Sequence, residues 1–434
     1  MQILTIWLNK LVKPTVLLLP VLLTVFNVHA QSLTRLTLEE ANQFAQKNYP
    51  IIKQKDLVKQ TADLNIENLK KGFLPQVSVS GQATYQSDVT KVDVPLPGFK
   101  IDPPGKDQYK ILADINQVVY DGGFIKKQQE MQQLNAVVED QKVEVELYKL
   151  RERINQLYLS VLYLDAQIKQ AALVKEDLQA GIKKVEAQVQ NGVAFRSNLN
   201  LLKAEYLRAN QRIIELAGSR KGMLETLSLF INQHIDSAVV FKIPVMQQIA
   251  QANVISRPEV KLYADQHKLL SQQTKIIQAK NLPKASLFVQ GGYGRPALNL
   301  LKNEFDFYYI GGLRFNWSLG GLYTKKKEKQ LIDISKRNVD IQQELFLLNT
   351  NTQLKQQQAE IDKYNELIAS DNEIINLRNE VTIAAKAQLE NAVITANDYL
   401  QQVNAEDQAR QSLIAHQVQL LQAQINYQTI SGKQ

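Results

Sequence analysis

Few side chains in this 434-residue sequence are spaced for chemistry. The four histidines, His29, His234, His267 and His416, stand too far apart to suggest a metal cluster, and there is no cysteine to ligate, pair or attack. Gly291-Gly292-Tyr293-Gly294 is glycine-rich, but it sits in an alternating segment with no helix after it, so it does not read as a phosphate loop. The residues therefore offer no catalytic, cofactor-binding or metal site, and the chain does not read as an enzyme. The polar residues that do have positional meaning are Asn198, Asn397 and Asp398, each where a helical pattern restarts. A short polar side chain there caps the first free N–H groups of a helix.

The formal net charge is +8, spread along the sequence, and does not suggest nucleic acid. Residues 1–30 read as a secretory signal: Lys10 and Lys13 lie in a basic start, Val16 to Val28 is apolar, and Val28-His29-Ala30 is a small-residue cleavage site. A membrane anchor is the other reading, but Pro20 interrupts a run already short of the ~20 residues that a span needs. The mature chain is expected from residue 31, and any membrane association must come from its fold.

The elements that would position a site come twice. Pro50 and Pro75 recur 208 residues later as Pro258 and Pro283. Gly122-Gly123 recurs as Gly320-Gly321, and Asn191-Gly192-Val193 as Asn391-Ala392-Val393. Such spacing predicts one duplicated unit over 31–434, with repeats at 31–240 and 241–434, each carrying the same order of elements.

Proline is absent from Gly105 to Ile243 and again from Ala297 to the end, which leaves room for very long helices because an interior proline costs about 3 kcal/mol. Leu147, Leu150, Ile154, Leu157, Val161, Leu164, Ile168 and Ala171 alternate steps of three and four, a seam continued by Leu178, Ile182, Val185 and Val189. After Asn191-Gly192 the pattern restarts at Leu199 and Leu202, so the two seams predict an antiparallel helical hairpin whose first arm runs from Phe124 to about Gln190. The second half repeats the outline with a looser seam: Leu367, Ile374, Leu377, Val381 and Ala384, then Ile414, Val418, Leu421 and Ile425. Its opposite faces are rich in Gln, Asn, Asp and Lys, which suits either a solvated surface or the lining of a polar duct.

Between the helices the period switches to two. Val77, Val79 and Tyr85 alternate with Gln76, Ser78 and Thr84, and Ile111 and Ile115 with Leu112, Asp114 and Asn116. The second half repeats this with Leu287, Val289 and Tyr293, then Tyr309, Leu313, Phe315 and Trp317. Segments of about ten residues, apolar on one face and polar on the other with aromatics near the ends, suit a lipid-facing outer-membrane strand; they also suit a half-buried hairpin in a soluble domain. If they face lipid, four strands are too few to close a barrel, and open edges would strand N–H and C=O groups in hydrocarbon. Several chains would then have to share one barrel.

At this point the chain resembles the TolC-type outer membrane efflux proteins. The likeness runs through Leu38-Glu39-Glu40-Ala41, Asn48-Tyr49-Pro50, Phe73-Leu74-Pro75-Gln76, Val119-Tyr120-Asp121-Gly122-Gly123 and Gln190-Asn191-Gly192-Val193. It implies an α+β membrane protein: a homotrimer whose twelve pooled strands form an outer-membrane β-barrel continuous with a periplasmic α-helical barrel. It also implies an exit duct for tripartite efflux or type I secretion, partnered by a periplasmic adaptor and an inner-membrane pump. By resemblance the adaptor-docking tips are Gly192, Val193, Ala194, Phe195, Arg196 and Ser197 in the first hairpin, and Ala392, Val393, Ile394 and Thr395 in the second. The entrance gate falls on Asn198, Asp398 and Gln401; of these only Asp398 is acidic, as family members often are there. A periplasmic adaptor with long α-hairpins is the alternative, although an adaptor usually carries one hairpin in a β-rich frame rather than two.

Overall fold

The computed structural model describes residues 34–91, 103–245 and 255–433; the segment read as a secretory signal lies outside the described residues. In chain order the elements are β1 (Arg35–Leu36), α1 (Leu38–Asn48), α2 (Lys53–Lys70), β2 (Gln76–Tyr85), β3 (Asp107–Tyr120), α3 (Phe124–Gln190) and α4 (Arg196–Ile231). There follow β4 (Val240–Phe241), α5 (Pro258–Lys280), β5 (Lys284–Arg295), β6 (Asp306–Asn316), α6 (Gly321–Glu390) and α7 (Ala396–Ser431).

The proline-free stretches become the two longest rods. α3 has 67 residues and α6 has 70, each about 100 Å at ~1.5 Å per residue. No helix among the described residues is long and apolar enough to cross a membrane. Strands β2, β3, β5 and β6 form one antiparallel sheet in that order, leaving β2 and β6 as its edges. Below it α3 packs on α2 and on α5, and α5 packs on α6. Each of these helices enters or leaves the strand above it, so the helical layer repeats the order of the sheet.

In the first hairpin the expected seam is buried: Leu147, Leu150, Ile154, Val161, Ala171, Leu178 and Val185 all lie inside. In the second the seam on α6 is not the expected one. Ile374, Leu377 and Val381 are 44%, 59% and 45% exposed, while Ile361, Asp371, Ile375, Ala385 and Leu389 are buried. The stripe is displaced because Asp371 occupies a seam position, where His416 of α7 meets it with Nδ1 2.6 Å from Oδ2. A residue next to a seam position lies about 100° round the helix, on another face. On α7 the expected line of Val418, Leu421 and Ile425 packs instead into a cluster with Ile154 of α3 and Leu227 of α4, while Ala423 and Tyr427 meet Leu354 and Ile361 of α6.

A waist lies at mid-height. The two-residue strands β1 and β4 pair in parallel, and α1 packs on α3 and α4. At the centre is the fully buried Tyr158, whose hydroxyl lies 2.8 Å from the Leu36 carbonyl and 2.7 Å from that of Lys242. Burial pushes its pKa above that of an ordinary tyrosine. Strands of two residues carry no periodicity, so only the tertiary contacts reveal this waist.

Candidate functional site

Two surfaces stand out, at opposite ends of the helices. The first is the sheet. Its register aligns Val77, Ile115 and Val289 in one row, Val79 and Tyr309 in the next, and Ile111, Tyr293 and Phe307 in a third, with Leu287 opposite Leu313. Tyr85 and Phe315 fall on the same face by the period of two, and Trp317 follows just after β6. This face is bare: Val77 is 66% exposed and Tyr309 82%. Phe307 and Tyr109 belong to it too; each lies two residues from an expected member, so strict alternation would have found them.

The other face is mixed and more polar. Gln290 donates to Asp114, and the Arg314 guanidinium lies 4.4 Å from the centre of the Phe288 ring. At the rim away from the helices Arg295 pairs with Asp107 and lies over the rings of Tyr109 and Phe305 at 5.5 and 5.3 Å. Strands of ten to fourteen residues, at ~3.3 Å each, are long enough to cross a bilayer when tilted.

The second surface is the pair of hairpin tips. Both turns end their helices in the same way: Val193 N–H donates to the Gln188 carbonyl and Val393 N–H to that of Gln388, each at 2.8 Å. The turn needs a residue in the left-handed region, filled by Gly192 at φ 75° and by Ala392 at φ 58°. Val193, Phe195, Arg196, Ser197, Val393 and Thr395 are exposed, with Phe195 at 80%. Ala194 and Ile394 instead turn inward against one shared cluster that includes Leu178, Val185, Leu202, Leu389, Tyr399 and Val403. Burial pushes the Tyr399 hydroxyl up to about 12. The Gln188 amide donates to the carbonyls of Leu389 and Glu390 at 3.2 and 2.9 Å, which holds the two tips side by side.

The caps are not the expected residues. Neither Asn198 nor Asn397 nor Asp398 is an N-cap; Phe195 and Thr395 are. The turns end three residues earlier than the polar residues suggested, which makes Asp398 the third residue of α7. There it completes a capping box: Asp398 N–H donates to Thr395 Oγ1 at 3.2 Å, and Thr395 N–H and Oγ1 donate to Asp398 Oδ2 at 3.1 and 2.7 Å. The Thr395 hydrogen bonds hold the Asp398 carboxyl below the usual aspartate range. α4 lacks this device, because its cap is a phenylalanine; Asn198 N–H simply returns to the Phe195 carbonyl at 3.0 Å. Gln401 is exposed one turn beyond Asp398.

Above the tips a polar network joins both hairpins. Asp407 of α7 accepts from Arg212 of α4 at 3.1 Å and from Gln170 of α3 at 3.0 Å. Residues so far apart in sequence give no pattern to read. Among the described residues no group of His, Asp or Glu is placed to hold a metal ion.

Residues 41–233 match the family model described as outer membrane efflux protein. The match covers a little under half of the chain, its first repeat, and makes that part similar to the outer membrane efflux proteins. That description is of a transport protein of the outer membrane rather than of an enzyme. Solved structures agree on the fold. The chain is similar to CusC at 14% identity over 92% of both chains, with a TM-score of 0.63. It is similar to the outer-membrane channel OprN at 12% identity, covering 92% of this chain and 90% of that one, with a TM-score of 0.66. The open state of the MtrE outer membrane channel of Neisseria gonorrhoeae gives 12%, 91%, 89% and 0.64 in the same order. No curated protein sequence matches.

Proposed function

We propose that three copies of this efflux protein close one twelve-stranded barrel over a twelve-helix periplasmic duct, the exit path of a pump in the inner membrane. One observation carries this reading. The sheet has a bare apolar face and two unpaired edges, β2 and β6, and the helices below those edges, α2 and α6, also have exposed apolar flanks. Leu57 and Leu64 lie on α2; Leu331, Ile334, Ile341, Leu345 and Leu348 lie on α6. A neighbouring copy would pair β6 with β2 and bring these two flanks together. Water would solvate bare edges, whereas hydrocarbon cannot, so insertion requires closure. Each repeat, 31–240 and 241–434, supplies one strand pair and one helical hairpin.

The tips face the periplasmic adaptor in this arrangement, through Gly192, Val193, Phe195 and Arg196 in the first hairpin and Val393 in the second. Asp398, held ionised by its capping box, would be repeated three times round the symmetry axis and favour cations at the entrance.

The native size of the protein extracted from outer membranes in detergent tests the assembly. A heat-sensitive trimer is expected, and a water-soluble monomer would overturn it. Arg196→Glu and Gly192→Asp should weaken adaptor pull-down; unchanged capture by both removes the docking role. Asp398→Ala should weaken block by multivalent cations in single-channel recordings, and unchanged block would leave Asp398 as a cap alone.

A further inference from the structure

The positive charge that is scattered along the sequence is gathered in space. The four strand ends that join helices lie at one rim of the sheet: the starts of β2 and β5 and the ends of β3 and β6. At these ends, and within thirteen residues on their helix side, stand eleven lysines and no arginine, against five carboxylates. That surplus of six is most of the chain's net +8.

Three of the five carboxylates are already engaged. Asp121 accepts the N–H groups of Gly123 and Ile125 at 2.8 and 2.7 Å, Glu130 pairs with Lys127 at 2.8 Å, and Glu328 accepts the Thr324 hydroxyl at 2.6 Å. The opposite rim is balanced: among its described loop and strand-end residues Lys91, Lys106, Arg295 and Lys302 face Asp88, Asp107, Glu304 and Asp306.

The densest part of this collar is the start of α6, with Lys325, Lys326, Lys327 and Lys329. Amphipathic aromatics share its level. Tyr323 is 86% exposed and one turn from Lys326 and Lys327, while Tyr120 and Trp317 are exposed at the ends of β3 and β6. Exposed lysine interleaved with Tyr and Trp, directly beside an apolar sheet face, is the composition of a bilayer interface. The lysine stem lies along apolar surface and the ammonium reaches the phosphates. A polyanion passing through the lumen would need the lysines but not the rings.

We propose that this lysine collar docks on the anionic phospholipid headgroups of the periplasmic leaflet and sets the depth at which the barrel sits. The proposal rests on the outer-membrane reading above. Its test uses the full detergent-purified protein, reconstituted into vesicles of phosphatidylcholine alone or with about 30% phosphatidylglycerol, which carries the surface potential that basic groups sense. Inserted protein is measured by flotation.

For the native chain the anionic lipid should raise the inserted fraction at least tenfold at low salt, given about fivefold per interfacial lysine. The gain should vanish near about 0.5 M salt, where screening acts within a few ångströms. Lys325→Gln, Lys326→Gln, Lys327→Gln and Lys329→Gln combined should remove most of it, and Lys70→Gln with Lys71→Gln, at the other flank, part of it. Each variant is compared at native helical circular dichroism.

Equal insertion of the native chain in both lipids overturns the collar while leaving the duct intact. Failure to insert into either overturns the duct and the collar together. A fourfold variant with unchanged lipid preference but altered block by polyphosphate added from the helical end would move the collar to the lumen and also overturn the proposal.

Discussion

The two helical hairpins follow the same plan and commit to it differently. α3 buries an apolar stripe along much of its length, and with α4 it joins the waist around Tyr158. α6, three residues longer, buries far fewer side chains, and Thr350 and Asp371 are among them. Its leftover apolar residues, Ile374, Leu377 and Val381, lie uncovered beside the seam. The tips differ in the same sense. The first turn has glycine in its left-handed position, where the second strains an alanine; the second alone carries a capping box. An apolar seam fixes one partner, whereas a sparse seam with a His–Asp pair and a spare apolar stripe leaves the helix able to pack elsewhere. The second hairpin is thus the one less committed to a single set of neighbours.

The largest expected effect breaks this contrast at its firmest point. Leu202→Ala, in the cluster shared by both tips, should cost about 3–5 kcal/mol in thermal or denaturant unfolding, because the site is fully buried. A cost below 1 kcal/mol would mean that the tips are not packed together. Next comes Asp371→Leu, which leaves His416 without its acceptor in the second seam. It should lower stability by about 1–3 kcal/mol, and no loss would show that the pair does not hold the hairpin.

Ala392→Gly should stabilise the second tip by about 1 kcal/mol by relieving its left-handed backbone, and Gly192→Ala should destabilise the first by as much. Equal and negligible effects would erase the difference between the turns. Thr395→Ala should cost about 1 kcal/mol at neutral pH by removing the cap. The Asp398 pKa is lowered in the folded chain, so its contribution is present above the ordinary aspartate range and is lost as pH falls through the depressed value. The penalty of Thr395→Ala measured by hydrogen exchange at the tip should therefore shrink in acid. The smallest effect is expected of Leu377→Gln, near zero in the isolated subunit because the side chain is exposed there. A larger loss in the assembled protein would identify what covers that stripe.

Much of the fold was legible because it rests on local rules. The missing prolines and steps of three and four located α3, and the period of two put eleven of the twelve expected strand residues on one face, with Trp317 just beyond β6. The seam of α6 was not legible, since an acid in a seam breaks the pattern unless its histidine partner, 45 residues away, is known. Asp398 stood out as a helix-start residue, but its role as third residue rather than cap depended on where the turn ended.

By itself, then, the sequence determined which segments are rods and which are two-faced strands, because periodicity and proline act within a few residues. Tertiary structure alone decided which stripe of α6 meets α7, how β1 and β4 close the waist, and that scattered lysines converge on one rim. Those outcomes depend on which distant side chains meet, and no local period encodes a meeting.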